Sequence, residues 1–424
     1  MPTTTSFSPL RTEIAGLGVE QLAREFGTPV YVYDAAKINE RIADLQAFDK
    51  VRYAQKACSS LAILDLMRRQ GVLVDAVSAG ELRRAMAVGY STAGDPPPIV
   101  YTADIFDREA LELVVEHGIH VNCGSPDMID QLGRVAPGRH ITLRLNPGFG
   151  HGHSQKTNTG GEHSKHGIWH TELAECLRLA DHHGLGISGL HMHIGSGTDL
   201  EHLAQVCGAL EKAAREVGRN LTSISAGGGL PVPYREGETY VDLDAHYKLW
   251  DATRKRLEDF FGHKLILEIE PGRYLVAESG FLVAQIRAIK QMGSNTFYLL
   301  DAGFNNLARP ILYGAYHPMA IAPSGTRGPQ RAMHDVVVGG PLCESGDIFT
   351  QEAGGFVRTR SLPVADVGEY LVIECTGAYG FVMGSNYNSK PLAAEVLISG
   401  GQPHLIRRRQ TFEDLIAGES IPGT

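Results

Sequence analysis

The sequence has no surplus of basic residues: 39 Lys and Arg stand against 48 Asp and Glu, a formal net charge of −9. A chain that grips nucleic acid through its phosphates needs a basic face, so general nucleic-acid binding is not expected. No apolar run approaches the roughly 20 residues that span a bilayer, so no membrane partner is expected either. The first residues, MPTTTSFSPLRTEIAG, lack a basic segment followed by an apolar one, and secretion is not expected. Cysteine is sparse, six residues in 424, and no two of them form a CxxC pair. Cys58, Cys123, Cys176, Cys207, Cys343 and Cys375 therefore read as reduced thiols in the cytoplasm, not as a disulfide framework or a structural zinc site. Low-complexity tracts are absent too.

What is present is an ordinary globular composition, 43% hydrophobic and 21% charged, in a chain long enough for two domains. From about residue 50 to 275 a short β-branched run, ending in polar or glycine residues, alternates with an amphipathic stretch. The strand candidates are Val51–Lys56, Leu73–Ser78, Ile99–Thr102, His120–Cys123, Thr142–Asn146, Gly189–Ile194, Ser223–Gly227 and Leu265–Glu270. Between them, SSLAILDLMRRQG places Leu61, Leu64 and Met67 at helical spacing and ends at Gly71, a C-terminal cap signal. Eight such units predict an α/β fold, a parallel (β/α)8 TIM-like barrel over residues 35–277, with an open doubly wound sheet as the alternative. After residue 277 helical periodicity fades. Runs such as GFLVAQIRAIKQ, NTFYLLDAG, HDVVVGG, EYLVIEC, AEVLISG and PHLIRRR predict a C-terminal, mostly antiparallel β domain, a barrel or sandwich. It is expected to span residues 278–424, with 1–34 adding the strand Val30–Asp34.

Active sites of such barrels gather at the C-terminal ends of the strands. The first strand leads to Lys56, which alone reads as a surface charge, a phosphate contact or a Schiff-base amine. The sixth gives HMHIGSG, with His191 and His193 on one face; these could ligate a metal, but the Gly-Ser tail favours an anion-binding turn. The seventh runs into Gly227, Gly228 and Gly229, which let backbone N–H groups approach a phosphate. The eighth ends in EIEPGR, placing Glu270 at the mouth with Arg273 three residues on. An amine, a phosphate cradle, an imidazole and a carboxylate form the set that pyridoxal 5′-phosphate needs: a lysine for the aldehyde, a nest for the phosphate and an anion for the pyridinium. Each element separately could be plain structural punctuation.

The motifs YAQKA, HMHIGSG, GGGL, EPGR, GPLCESGD and GAYG…SNYN, taken in order, resemble the fold type III, alanine racemase-like, pyridoxal phosphate-dependent decarboxylases. The resemblance covers about residues 28–410. It is nearest to the branch that converts meso-2,6-diaminopimelate to L-lysine and CO2, the last step of lysine biosynthesis. It implies a barrel that binds the cofactor, a C-terminal β domain and a homodimer whose active sites are shared across the interface. It also implies roles. Lys56 corresponds to the Schiff-base lysine and His193 to the imidazole stacked on the ring. Ser196 and Gly227–Gly229 correspond to the phosphate cradle, Glu270 to the pyridinium partner and Pro271, Gly272 and Arg273 to its flank. Tyr379 corresponds to a phosphate and substrate contact, and Cys343 to the acid that reprotonates the α-carbon. Glu344 corresponds to a contact with the substrate's distal amine, and Cys343 and Glu344 both reach the partner's site.

Two departures stand out. Family members often carry Asn two residues after the lysine, where this chain has Cys58. The segment Gly148–Gly167 is long and histidine-rich; His151, His153, His163 and His166 invite a metal reading, although Gly, Ser and Thr dominate and favour a loop near the mouth. For the substrate, the distal end decides. A distal carboxylate wants a guanidinium and a hydroxyl, and ARPILYGAYH offers Arg309 and Tyr313, which the resemblance places there with Arg273. An ornithine- or arginine-type decarboxylase would want an acid at that position. A non-catalytic cofactor-binding homologue would be expected to have lost Lys56 or Cys343, and both are present.

Overall fold

The computed structural model describes residues 5–150, 160–193, 195, 199–218, 221–324, 328 and 330–422. Eight strands form a closed ring: β1 (Lys50–Ala54), β2 (Leu73–Ala76), β3 (Ile99–Ala103), β4 (His120–Cys123), β5 (His140–Asn146), β6 (Gly186–Met192), β7 (Ser223–Ser225) and β8 (Ile266–Ile269). All neighbours pair in parallel, β5 pairs with β6, and β8 returns to β1 with Glu268 opposite Lys50. The predicted barrel is therefore present. Strands covered on both faces must be apolar along their length, and Val74, Leu143, Leu190, Ile224 and Leu267 are fully buried.

Polar caps start the helices soon after the strands end. Ser78 Oγ accepts the Glu81 N–H at 3.2 Å, Asp107 Oδ1 that of Ala110 at 2.7 Å, and Asp199 Oδ1 that of Glu201 at 2.9 Å. Each cap satisfies an orphan helical donor and turns the chain back along the barrel, so the strand ends face a common mouth. The helix Leu61–Arg69 ends as expected, with Gly71 at φ +74°. Its buried face differs from expectation. Leu61 is exposed in the first turn, and Ile63 joins Leu64 and Met67 in the core.

Several strand ends are shorter than predicted. β1 stops at Ala54, and Lys56 lies in a 3-10 turn, Gln55–Ala57, beyond it. β7 stops at Ser225, ahead of its glycines, and β8 stops at Ile269, ahead of Glu270. The pairing stops one or two residues before the polar and glycine residues that close each run, because these turn away from the neighbouring strand.

The second unit is a mostly antiparallel sheet built on the 13-residue strand Gly280–Met292. That strand pairs antiparallel with Val30–Asp34, Asn295–Leu300 and Tyr370–Ile373. The N-terminal strand adds to this sheet as expected and also pairs in parallel with Ala394–Ser399. Two further strands, Met319–Ala322 and Arg360–Pro363, were not predicted. At four residues each, one of them ending in Pro, they are too short to show an alternation. The two units meet at the mouth, where the Tyr379 N–H donates to the carbonyl of Ala57 at 2.8 Å. Among the described residues, no helix is long and apolar enough to cross a membrane.

Candidate active site

A cavity opens at the C-terminal mouth of the barrel. Lys56, Asp75, Thr102, Arg144, His191, His193, Gly228, Gly229, Glu270, Gly272, Arg273 and Tyr379 line it. Glu270 lies at its base, almost fully buried, and is held from two sides. His191 Nε2–H donates to Oε2 at 2.8 Å and Ser225 Oγ–H donates to Oε1 at 2.8 Å. Below them Arg52 on β1 pairs with Glu268 on β8 at 3.1 Å. Burial would push the Glu270 carboxyl up, but the His191 imidazole, the Ser225 hydroxyl and the Arg52 guanidinium outweigh it and hold the group down at about 2. The site thus keeps a buried negative charge.

Asp75 in β2 behaves oppositely. It is buried, its Oδ1 has no hydrogen-bond partner among the described residues, and burial followed by the Glu270 charge pushes it up to about 6. Because its folded pKa lies above the ordinary value, ionising it costs stability as pH rises. In the cofactor-free protein, Asp75→Asn is expected to gain stability relative to the parent chain. The gain should grow between about pH 4 and pH 6 to on the order of 3 kcal/mol, then stay constant. Chemical denaturation across that range checks it; a difference independent of pH would contradict it.

The glycine run after β7 is a close-approach site. Gly229 has φ +99°, and a Cβ there would sit 2.2 Å from the Gly195 carbonyl oxygen; Gly227 has φ +63°, with a Cβ 2.7 Å from His193 Cβ. Only glycine fits either position; the Gly227 N–H donates to Ser225 Oγ at 3.1 Å, while those of Gly228 and Gly229, which line the cavity, have no partner among the described residues and are left for an anion. His193 is pushed far down by burial, with Arg144 and Lys56 adding, so its ring is neutral. Arg144, buried in β5, has no carboxylate partner among the described residues.

Beyond Arg273 the structure continues into a second cationic group. Tyr234 Oη accepts from Arg273 Nη1 at 3.0 Å and from Arg309 Nη1 at 3.2 Å. Arg309 Nη1 also donates to His317 Nε2 at 2.9 Å. Neither guanidinium has a carboxylate partner among the described residues. Cys343 lies apart from this cavity, on an exposed loop, with its N–H donating to Asn388 Oδ1 at 2.7 Å.

Most of the expected cofactor residues are brought together: Lys56, His193, Gly228, Gly229, Glu270, Gly272, Arg273 and Tyr379 share one cavity. Gly227 and Pro271 do not line it. Gly227 accepts the Glu270 N–H at 2.8 Å, and Pro271 accepts that of Ala54 at 3.2 Å, so both brace the wall. Ser196 lies outside the described residues, as do His151 and His153. Arg309 connects through Tyr234, whereas half-buried Tyr313 and exposed Glu344 do not line the cavity. His166 is tied to Asp104 by a 2.7 Å bond from Nδ1. Cys58 is a core residue, its thiol pushed up to about 12 by burial. Sequence reasoning missed Asp75, Arg144, Ser225, Tyr234 and His317. The first two carried a signal, a charged residue inside an apolar strand.

These donors fit pyridoxal 5′-phosphate: an amine at the mouth, bare N–H groups for a phosphate, an ionised carboxylate for a pyridinium and an unpaired guanidinium for a phenolate. Fold and site together define a pyridoxal phosphate-dependent barrel enzyme. Comparison with known proteins narrows the class. Residues 35–277 match the family model described as pyridoxal-dependent decarboxylase, pyridoxal binding domain. The chain is 56% identical to the diaminopimelate decarboxylase of Escherichia coli K12 over 411 residues, 97% of this chain and 98% of that one. A crystal structure of diaminopimelate decarboxylase superposes with TM-score 0.93 at 55% identity, over 97% of this chain and 99% of that one. The Helicobacter pylori diaminopimelate decarboxylase complexed with L-lysine superposes with TM-score 0.82 at 31% identity, over 94% of this chain and 98% of that one. The chain belongs to the pyridoxal-dependent decarboxylases and, within them, to the diaminopimelate decarboxylase family.

Proposed function

We propose that this protein removes one α-carboxylate of meso-2,6-diaminopimelate to give L-lysine and CO2, using pyridoxal 5′-phosphate, as a cytoplasmic homodimer with shared sites. The observation that carries the substrate reading is the Arg273–Tyr234–Arg309 group: two guanidiniums bridged by a phenol, with no acid beside them among the described residues. A buried cation without a counter-charge is costly, so an anionic ligand is expected there. A distal carboxylate supplies that anion, while the distal ammonium of ornithine would be repelled.

When bound, pyridoxal 5′-phosphate supplies the electron sink that lets the carboxylate bond break. The chain's residues do the rest. Lys56 Nζ would hold the cofactor aldehyde at the mouth of the barrel. Glu270, kept ionised by His191, Ser225 and Arg52, would keep a pyridine nitrogen placed beside it protonated. The N–H groups of Gly228 and Gly229, with Tyr379 and, by the family resemblance, Ser196, would hold the phosphate, and His193 would offer a neutral flat ring. Arg144 matches the phenolate. Cys343 of the partner subunit then protonates the α-carbon, and Glu344 of the partner subunit takes the distal ammonium.

Cys343 supports that assignment by its setting: the other five cysteines are buried and it alone is exposed. Its loop is fringed by exposed Ile311 and Tyr387, apolar surface that suits a subunit contact. The reading is tested with holoenzyme and a substrate panel. Meso-diaminopimelate is expected to release CO2 and lysine in equal amounts, with no release from ornithine or arginine. Equal release from ornithine would sink it.

A further inference from the structure

We propose that His317 is a positioning residue that anchors Arg309 while leaving its charge uncancelled, and so sets the preference for a substrate with a distal carboxylate. This rests on the substrate reading above and names what enforces it.

The geometry fixes the tautomer. His317 Nδ1 lies 3.0 Å from the carbonyl oxygen of Glu374, which can only accept, so Nδ1 carries the proton. Nε2 is then a lone pair, and it accepts from Arg309 Nη1 at 2.9 Å. Burial, followed by the charges of Arg309, Arg273 and Arg360, pushes the ring far below its ordinary pKa and keeps it neutral. The ring is itself held. It lies edge-on to Tyr234 at 5.4 Å, its own carbonyl accepts from Arg360 Nη1 at 2.9 Å, and the Glu374 N–H donates to the Pro318 carbonyl at 2.9 Å.

A carboxylate is the usual anchor for a buried arginine, and it would consume the charge along with the hydrogen bonds. Here both anchors, the imidazole lone pair and the Tyr234 hydroxyl, are neutral acceptors and both engage Nη1. Nε and Nη2 have no partner among the described residues, which leaves the planar edge that matches the two oxygens of a carboxylate. An acid in place of His317 would instead make a neutral pair and remove the reason to prefer an anionic substrate end.

The test compares holoenzyme carrying His317→Leu, which removes the acceptor, with His317→Gln, whose amide oxygen can replace it. Two probes separate positioning from general damage. L-Lysine keeps the distal amino-carboxylate of the substrate, and 1,5-diaminopentane lacks it. In His317→Leu, KM for meso-diaminopimelate and the calorimetric dissociation constant of L-lysine are both expected to rise about tenfold, the scale of one lost charge-assisted contact. The fall in kcat should be smaller and 1,5-diaminopentane binding unaltered. His317→Gln should recover most of the loss. Equal weakening of both probes, a loss confined to kcat, or no recovery in cofactor-loaded His317→Gln would overturn the proposal. If His317→Leu does not fold, His317→Glu decides in its place: its carboxylate would neutralise Arg309, so a lysine-to-diaminopentane affinity ratio about tenfold below that of the parent supports the proposal, and the parent ratio overturns it. If the parent enzyme releases no CO2 from meso-diaminopimelate, the substrate reading fails, while the lysine-to-diaminopentane ratio still decides the role of His317.

Discussion

Lys56→Ala is expected to abolish lysine formation, by at least about a thousandfold, and to remove the visible absorbance of the loaded enzyme. Among the described residues no other lysine lines the mouth cavity, so none of them places a second amine to take over. The side chain is exposed, in a short turn whose other two residues, Gln55 and Ala57, are buried. Shortening it therefore removes little packing, and the melting temperature of the cofactor-free protein should hardly move. That separation makes the result decisive. Activity within tenfold of the parent, with an unaltered spectrum, would show that the amine at this turn does not hold the cofactor.

Cys343→Ala is expected to give the complementary result: full cofactor absorbance with turnover reduced by about a hundredfold to ten-thousandfold, the usual range for losing a positioned proton donor. The thiol is exposed and outside the chain's own cavity, so its loss should not alter cofactor loading in that chain. The effect should fall on kcat, because the proton is needed only after CO2 has left. Turnover at the parent rate would end the proton-donor assignment and return Cys343 to an ordinary surface thiol.

Much of this was legible in the sequence because a barrel repeats its rules. Each strand shows as an apolar run, an amphipathic stretch follows it, and the chemistry collects where strand gives way to turn. Lys56, Glu270 and the glycines at 227–229 were found by reading four strand ends. Asp75 and Arg144 lie inside β2 and β5, ahead of the last strand residue, and a reading confined to the ends of the first, sixth, seventh and eighth strands passes over them. Tyr234 and His317 had no local signal. Tyr234 lies in a loop after β7, and His317 is 83 residues away by sequence number (317 − 234), in the other unit. Their partnership through Arg309 exists only once the two units are folded together. The strand boundaries failed for a different reason: polar residues at a barrel mouth lengthen the run in sequence without extending its pairing.

The central claim is that each site is completed by the other subunit, and it is tested by mixing the Lys56→Ala and Cys343→Ala proteins under conditions that allow subunits to exchange. In a hybrid dimer one site would carry both substitutions and the other neither. Lysine formation from meso-diaminopimelate should return, to about a quarter of the parent activity at random exchange, since about half the dimers are hybrid and each has one intact site of two. If the exchanged mixture forms no more lysine than the two variants do separately, Lys56 and Cys343 act within one chain and the shared site is wrong.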